Sequence, residues 1–152
     1  MYRLINIILL IMITCVSLST YAEDVNVCKA LRAAVGKVSI NKKWNAKGVE
    51  EVFIAFQRNK ACDDGGYSEA VTDIVVKSLA KDFVNVVTMI NSKKDLSLFV
   101  KRHVNATANY DDVDKIIENA SKICPTQYKE TCRELKNVAE EASAEAKSVL
   151  NN

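Results

Sequence analysis

The residues able to do chemistry in this 152-residue chain are five cysteines, one histidine and an acidic corner. Cys28, Cys62, Cys124 and Cys132 lack the close CxxC-type pairs that zinc requires, so their spacing argues for disulfides. His103, in FVKRHVNAT, has no serine in a nucleophile-elbow context to activate, and oxidised cysteines would offer it no thiolate. It reads as a partly exposed residue at a helix end, where a positive charge suits the dipole. The corner ACDDGGYSEAV, residues 61–71, places two aspartates before two glycines. A calcium loop would set glycine sixth and glutamate twelfth, and counting from Asp63 the glycines come third and fourth. No catalytic set, metal or cofactor is therefore implied. Gly65 and Gly66 instead allow a chain reversal, with Gly66 as a cap and Glu69 and Asp73 near the start of the following helix.

The compartment follows from the first residues. MYRLINIILLIMITCVSLSTYA carries one charge, Arg3, then an apolar run and small residues Thr20 and Ala22 before Glu23. That is the layout of a signal peptide over residues 1–22, cleaved on export, and the run is too short for a spanning helix. Cys15 leaves with it. Residues 23–152 then form a single domain with an even number of cysteines. Three pairings are open. The favoured one joins Cys124 to Cys132 across the corner marked by Pro125, which leaves Cys28 for Cys62. The chain holds 21 Lys plus Arg against 19 Asp plus Glu, interspersed along its length. A basic stripe for nucleic acid is missing, and no membrane association is expected after cleavage.

The elements that position these residues are helices. Leu31, Val35 and Val38 repeat at helical spacing, as do Val49, Val52, Phe53 and Phe56, and then Val71, Ile74, Val75, Leu79 and Phe83. The last pattern runs on through Val86, Val87 and Ile90 to the polar Asn91-Ser92-Lys93-Lys94. Asp95 is placed to cap a short helix bearing Leu96, Phe99 and Val100. Asn109 caps the next, with Asp111, Asp112 and Asp114 in its first turn and Val113, Ile116, Ile117 and Ala120 as its stripe. Pro125 separates it from a last helix with Cys132, Leu135, Val138, Ala139 and Ala142 on one face, solvated from about residue 143. Trp44, beside three lysines, reads as a lid over the core, with an exposed binding anchor as the alternative. The Asn105-Ala-Thr and Asn119-Ala-Ser triplets match the glycosylation signal at a frequency that chance supplies. The fold class is all-α: a compact bundle of about five to six short helices stapled by two disulfides.

An exported helical chain with these features acts through its surface or through a cavity. The segments ACDDGGYSEAVTDIVVKSLA and ENASKICPTQYKETC look like parts of small bacterial exported proteins. In the order of its features the chain resembles the small periplasmic helical immunity proteins of type VI secretion, of the kind that neutralise amidase effectors. That resemblance implies a periplasmic, non-enzymatic protein that binds a toxic effector enzyme and occludes its active site. Asp63, Asp64 and Asp73 are the candidate partner-binding acids, suited to a basic cleft; the stretch from His103 to Asp112 is another candidate. The alternative is a secreted helical carrier of a small apolar ligand, since the Cys28 to Cys62 interval resembles that of odorant-binding proteins. The long gap from Cys62 to Cys124 departs from their pattern. An exported hydrolase ranks last for want of a catalytic set.

Overall fold

The computed structural model describes residues 28–62 and 65–150; the signal-peptide reading of residues 1–22, Cys15, and the acids Asp63 and Asp64 lie outside them. Among the described residues the apolar stripes become seven α-helices, and the fold is all-α. They are α1 (Lys29–Ile40), α2 (Ala46–Arg58), α3 (Gly65–Lys81), α4 (Phe83–Asn91), α5 (Lys94–Arg102), α6 (Tyr110–Lys122) and α7 (Lys129–Leu150). Short 3₁₀ turns at Lys60–Cys62 and Thr126–Tyr128 precede α3 and α7.

Helix α3 is the centre of the bundle. Val71, Ile74, Val75, Val76 and Leu79 are all buried there, more than one stripe's worth, because α1, α2, α4 and α6 pack around it. Its two buried hydroxyls are satisfied: Ser78 donates to the Ile74 carbonyl at 2.7 Å, and Thr72 Oγ1 lies 3.2 Å from His103 Nδ1. Asn119 of α6, also buried, donates to the Ala80 carbonyl at 3.0 Å and so closes the last turn of α3. The Asn119 triplet thus has a structural use.

Helices α6 and α7 form an antiparallel pair. At one end Ser143 of α7 donates to Asp114 of α6 at 3.4 Å, and Lys147 lies 4.9 Å from the Tyr110 ring. At the other end the Cys124–Cys132 disulfide closes the corner, its Cα atoms 6.1 Å apart. The second disulfide joins Cys28, just before α1, to Cys62, with Cα atoms 5.4 Å apart. Both favoured pairings are thus present. Two closed disulfides fit an oxidising compartment, and no helix among the described residues is long and apolar enough to cross a membrane.

Local signals explain three of the helix starts. Asn109 accepts from the Asp112 amide at 3.3 Å to start α6, as the sequence predicts, and Asn45 accepts from the Gly48 amide at 3.0 Å to start α2, a cap the sequence reading does not name. Gly65, at φ +51°, takes the left-handed conformation that the chain reversal needs. Other ends differ from expectation. Helix α3 begins at Gly65, so Glu69 lies beyond its first turn and Asp73 further on. Lys93 occupies the cap position of α5 without a capping bond, and Asp95 falls inside the first turn. The apolar run through Phe83 is broken at Asp82 into α3 and α4. Asp82 is used twice at that break: Oδ2 accepts from the Ala46 amide at 2.9 Å, and Oδ1 from Asn85 at 2.6 Å. A carboxylate at the break therefore satisfies an amide at the start of α2. Burial along α7 extends to Ser143, and solvation begins at Ala144.

Two changes probe these features. Gly48 sits so close to the α1–α2 turn that an added Cβ would collide with the Lys43 backbone carbonyl and press on Val38. Gly48→Ala is expected to lower stability by about 2 kcal/mol despite alanine's better helix propensity, measured by urea unfolding. Glu118, hydrogen-bonded to Lys115 at 2.7 Å and to Lys122 at 3.0 Å, has its carboxyl pulled down from the usual 4.5 to about 2 by those two ammonium groups. Its folded pKa is depressed, so its contribution is present above pH 4.5 and fades as pH falls from there towards 2. Glu118→Gln should flatten the melting temperature against pH across that window. The difference from the parent should shrink in high salt, since all three side chains are solvated.

Candidate functional site: an aromatic groove between α2 and α5

Helices α2 and α5 lie side by side in the same sense, and their meeting line is aromatic. The Phe99 ring centroid is 5.2 Å from that of Phe53 and 4.9 Å from that of Phe56, in tilted contacts that favour ring edges against faces. Two connected depressions open above these rings. The first, about 230 Å³, is lined by Phe53, Phe56, Lys60, Leu98, Phe99 and Arg102, together with Gln57 and Asp95. The second, about 430 Å³, shares Phe53, Gln57 and Asp95 and continues to Glu50, Ile54, Lys93 and Lys94. Together they make a groove that follows α2 from Glu50 to its end and reaches Lys60 in the next turn, about 15 Å in all.

The walls differ from the floor. Phe53, Phe56 and Phe99 are buried, whereas Leu98 is 54% exposed and Ile54 49% exposed, so two aliphatic side chains stand at the rim. Lys93 is bound to Glu50 at 2.5 Å. Lys60 and Lys94 make no ion pair among the described residues and lie at opposite ends of the groove. The site is built on packed helices and not on loops, which fixes its shape before anything enters.

His103 stands behind this groove. The sequence suggests a partly exposed residue, but the ring is 1% exposed, edge-on to Phe99 at 4.7 Å and beside Thr72. The physical reason is the turn that ends α5: it carries the imidazole inward against α3, where Thr72 meets its Nδ1. Asn105 holds the following loop, accepting at Oδ1 from the Thr107 hydroxyl at 2.7 Å and the Thr107 amide at 3.0 Å. Histidine and asparagine here do structural work.

Of the predicted partner-binding acids, Asp73 is placed on α3 and bound by Lys77 at 2.7 Å. It does not line the groove, and Asp63 and Asp64 fall outside the described residues. Trp44 lies half-buried over α3, with the ammonium groups of Lys81 and Lys77 at 3.9 and 4.9 Å from its ring, a cation–π arrangement that suits a lid. Sequence reading missed the groove because Phe53, Phe56 and Phe99 look like core. The signal that could have found it is Ile54 and Leu98, each one position beside a buried phenylalanine and outside the stripe of its helix. Compared with protein-family models, curated proteins and solved structures, the chain finds no match, so its function has to be read from its own groove and clips.

Proposed function

We propose that this chain is an exported, non-enzymatic binding protein that acts on another protein, and that its role is to neutralise a secreted antibacterial effector by covering that enzyme's active site in the periplasm. The observation that supports this reading is the open groove with an aromatic floor, aliphatic rim and charged ends, held between two packed helices. Protein interfaces have this make-up, an apolar centre inside a polar rim. A carrier instead encloses most of its ligand in a buried cavity, whereas the groove here lies open along the helix surface. Disulfides at Cys28–Cys62 and Cys124–Cys132 would keep such an inhibitor rigid, limiting the ordering cost of association.

The test is protection. Bacteria expressing the full chain, residues 1–152, are exposed to wall-degrading and membrane-degrading effectors delivered to the periplasm. Rescue from one effector class, with a complex recoverable from purified components, is the expected result. No rescue from any of them, together with tight binding of a hydrophobic probe, would overturn the inhibitor reading in favour of the carrier.

A further inference from the structure

We infer that the α2–α5 groove is the docking site for an acidic segment of a partner protein that inserts an aromatic or aliphatic side chain between flanking carboxylates. The inference rests on the proposed action through a protein partner, and it names the surface and the chemistry. The groove's floor, Phe53, Phe56 and Phe99, offers ring faces and edges to one apolar anchor, and its rim residues Leu98 and Ile54 are exposed. An exposed aliphatic side chain beside each depression extends the apolar surface of the cleft, Leu98 at one and Ile54 at the other.

Charge selects the occupant. Lys60 at one end and Lys94 at the other carry no ion pair among the described residues, while the acid Glu50 is already held by Lys93. A segment with carboxylates on both sides of its anchor would meet an ammonium group at each end of a groove about 15 Å long, the span of about ten helical or five extended residues. Gln57 and Asp95, which line both depressions, supply an amide and a carboxylate for the segment's backbone. A basic segment would place like charges at both ends and is disfavoured.

The experiment uses the mature, oxidised protein and a short synthetic peptide with Leu-Trp-Leu between runs of glutamate, followed by amide chemical shifts. Saturable shifts confined to α2, α5 and the Lys60–Cys62 turn are expected, weakening as salt rises. Lys60→Glu combined with Lys94→Glu should weaken the peptide by about tenfold or more at an unchanged melting temperature, and Leu98→Asp should do the same. Shifts on another face, equal binding of a lysine-flanked peptide, or indifference to the double charge reversal would each overturn the inference. So would dodecanoate filling the groove while the peptide leaves it unperturbed. The two readings fail separately. Rescue of cells by the charge-reversed variant as well as by the parent sinks the groove and spares the inhibitor; peptide binding without rescue from any effector does the opposite.

Discussion

Replacing Cys28 and Cys62 together by alanine is expected to lower the unfolding free energy by about 4 kcal/mol, against about 2.5 kcal/mol for the same change at Cys124 and Cys132. The difference comes from loop length. The first pair is 34 residues apart and the second 8, and the chain-entropy cost lifted from the unfolded state grows with the logarithm of that separation. Of a typical stability of about 5–15 kcal/mol, the first clip is a large part. Its removal should depress the melting temperature by about 10–20 °C. The urea m-value should rise as well, because an uncrosslinked denatured chain is more expanded and exposes more surface. Urea unfolding of the parent and the two double variants checks the order. Equal losses would mean that the native contacts at the two corners, and not the loops they close, set the effect. The clip also bears on the groove. Cys62 is buried two residues after Lys60, so opening the bond should loosen that end before it disturbs α5.

The period of the apolar residues made most of this fold legible. Leu31, Val35 and Val38, or Val113, Ile116 and Ala120, are buried as their spacing predicts, and Asn109 acts as the expected cap because a short side-chain acceptor needs only its own helix. The disulfides were legible for a related reason: a proline corner brings Cys124 and Cys132 together locally. What failed to show was set by distant residues. Asp82 breaks an unbroken apolar pattern because its carboxylate is taken by the Ala46 amide, 36 positions earlier in the chain. His103 is buried because α3 offers Thr72 across a separation of 31. The groove is hidden for the same cause. A phenylalanine at a core position and one that floors a cleft have the same spacing, and only the packing of α2 against α5 separates them.

Phe99→Ala is the substitution expected to join stability and binding most directly. The ring is 4% exposed and touches Phe53, Phe56 and His103, so its loss removes both transfer energy and three aromatic contacts. A cost of about 3–5 kcal/mol follows for a buried phenylalanine truncated to alanine. The void would open towards solvent through the existing depression, which lets water enter and holds the cost nearer the lower figure. Leu98→Ala, one residue earlier and at the rim, should leave stability within about 0.5 kcal/mol. Urea unfolding of the two variants measures the contrast in stability, and peptide titration followed by amide shifts measures the contrast in binding. If Phe99 floors the groove, both variants weaken an acidic aromatic peptide although only one of them weakens the fold. Binding that survives Phe99→Ala while the protein remains folded would mean that the anchor never reaches the rings, and the partner would then be held by Lys60 and Lys94 alone.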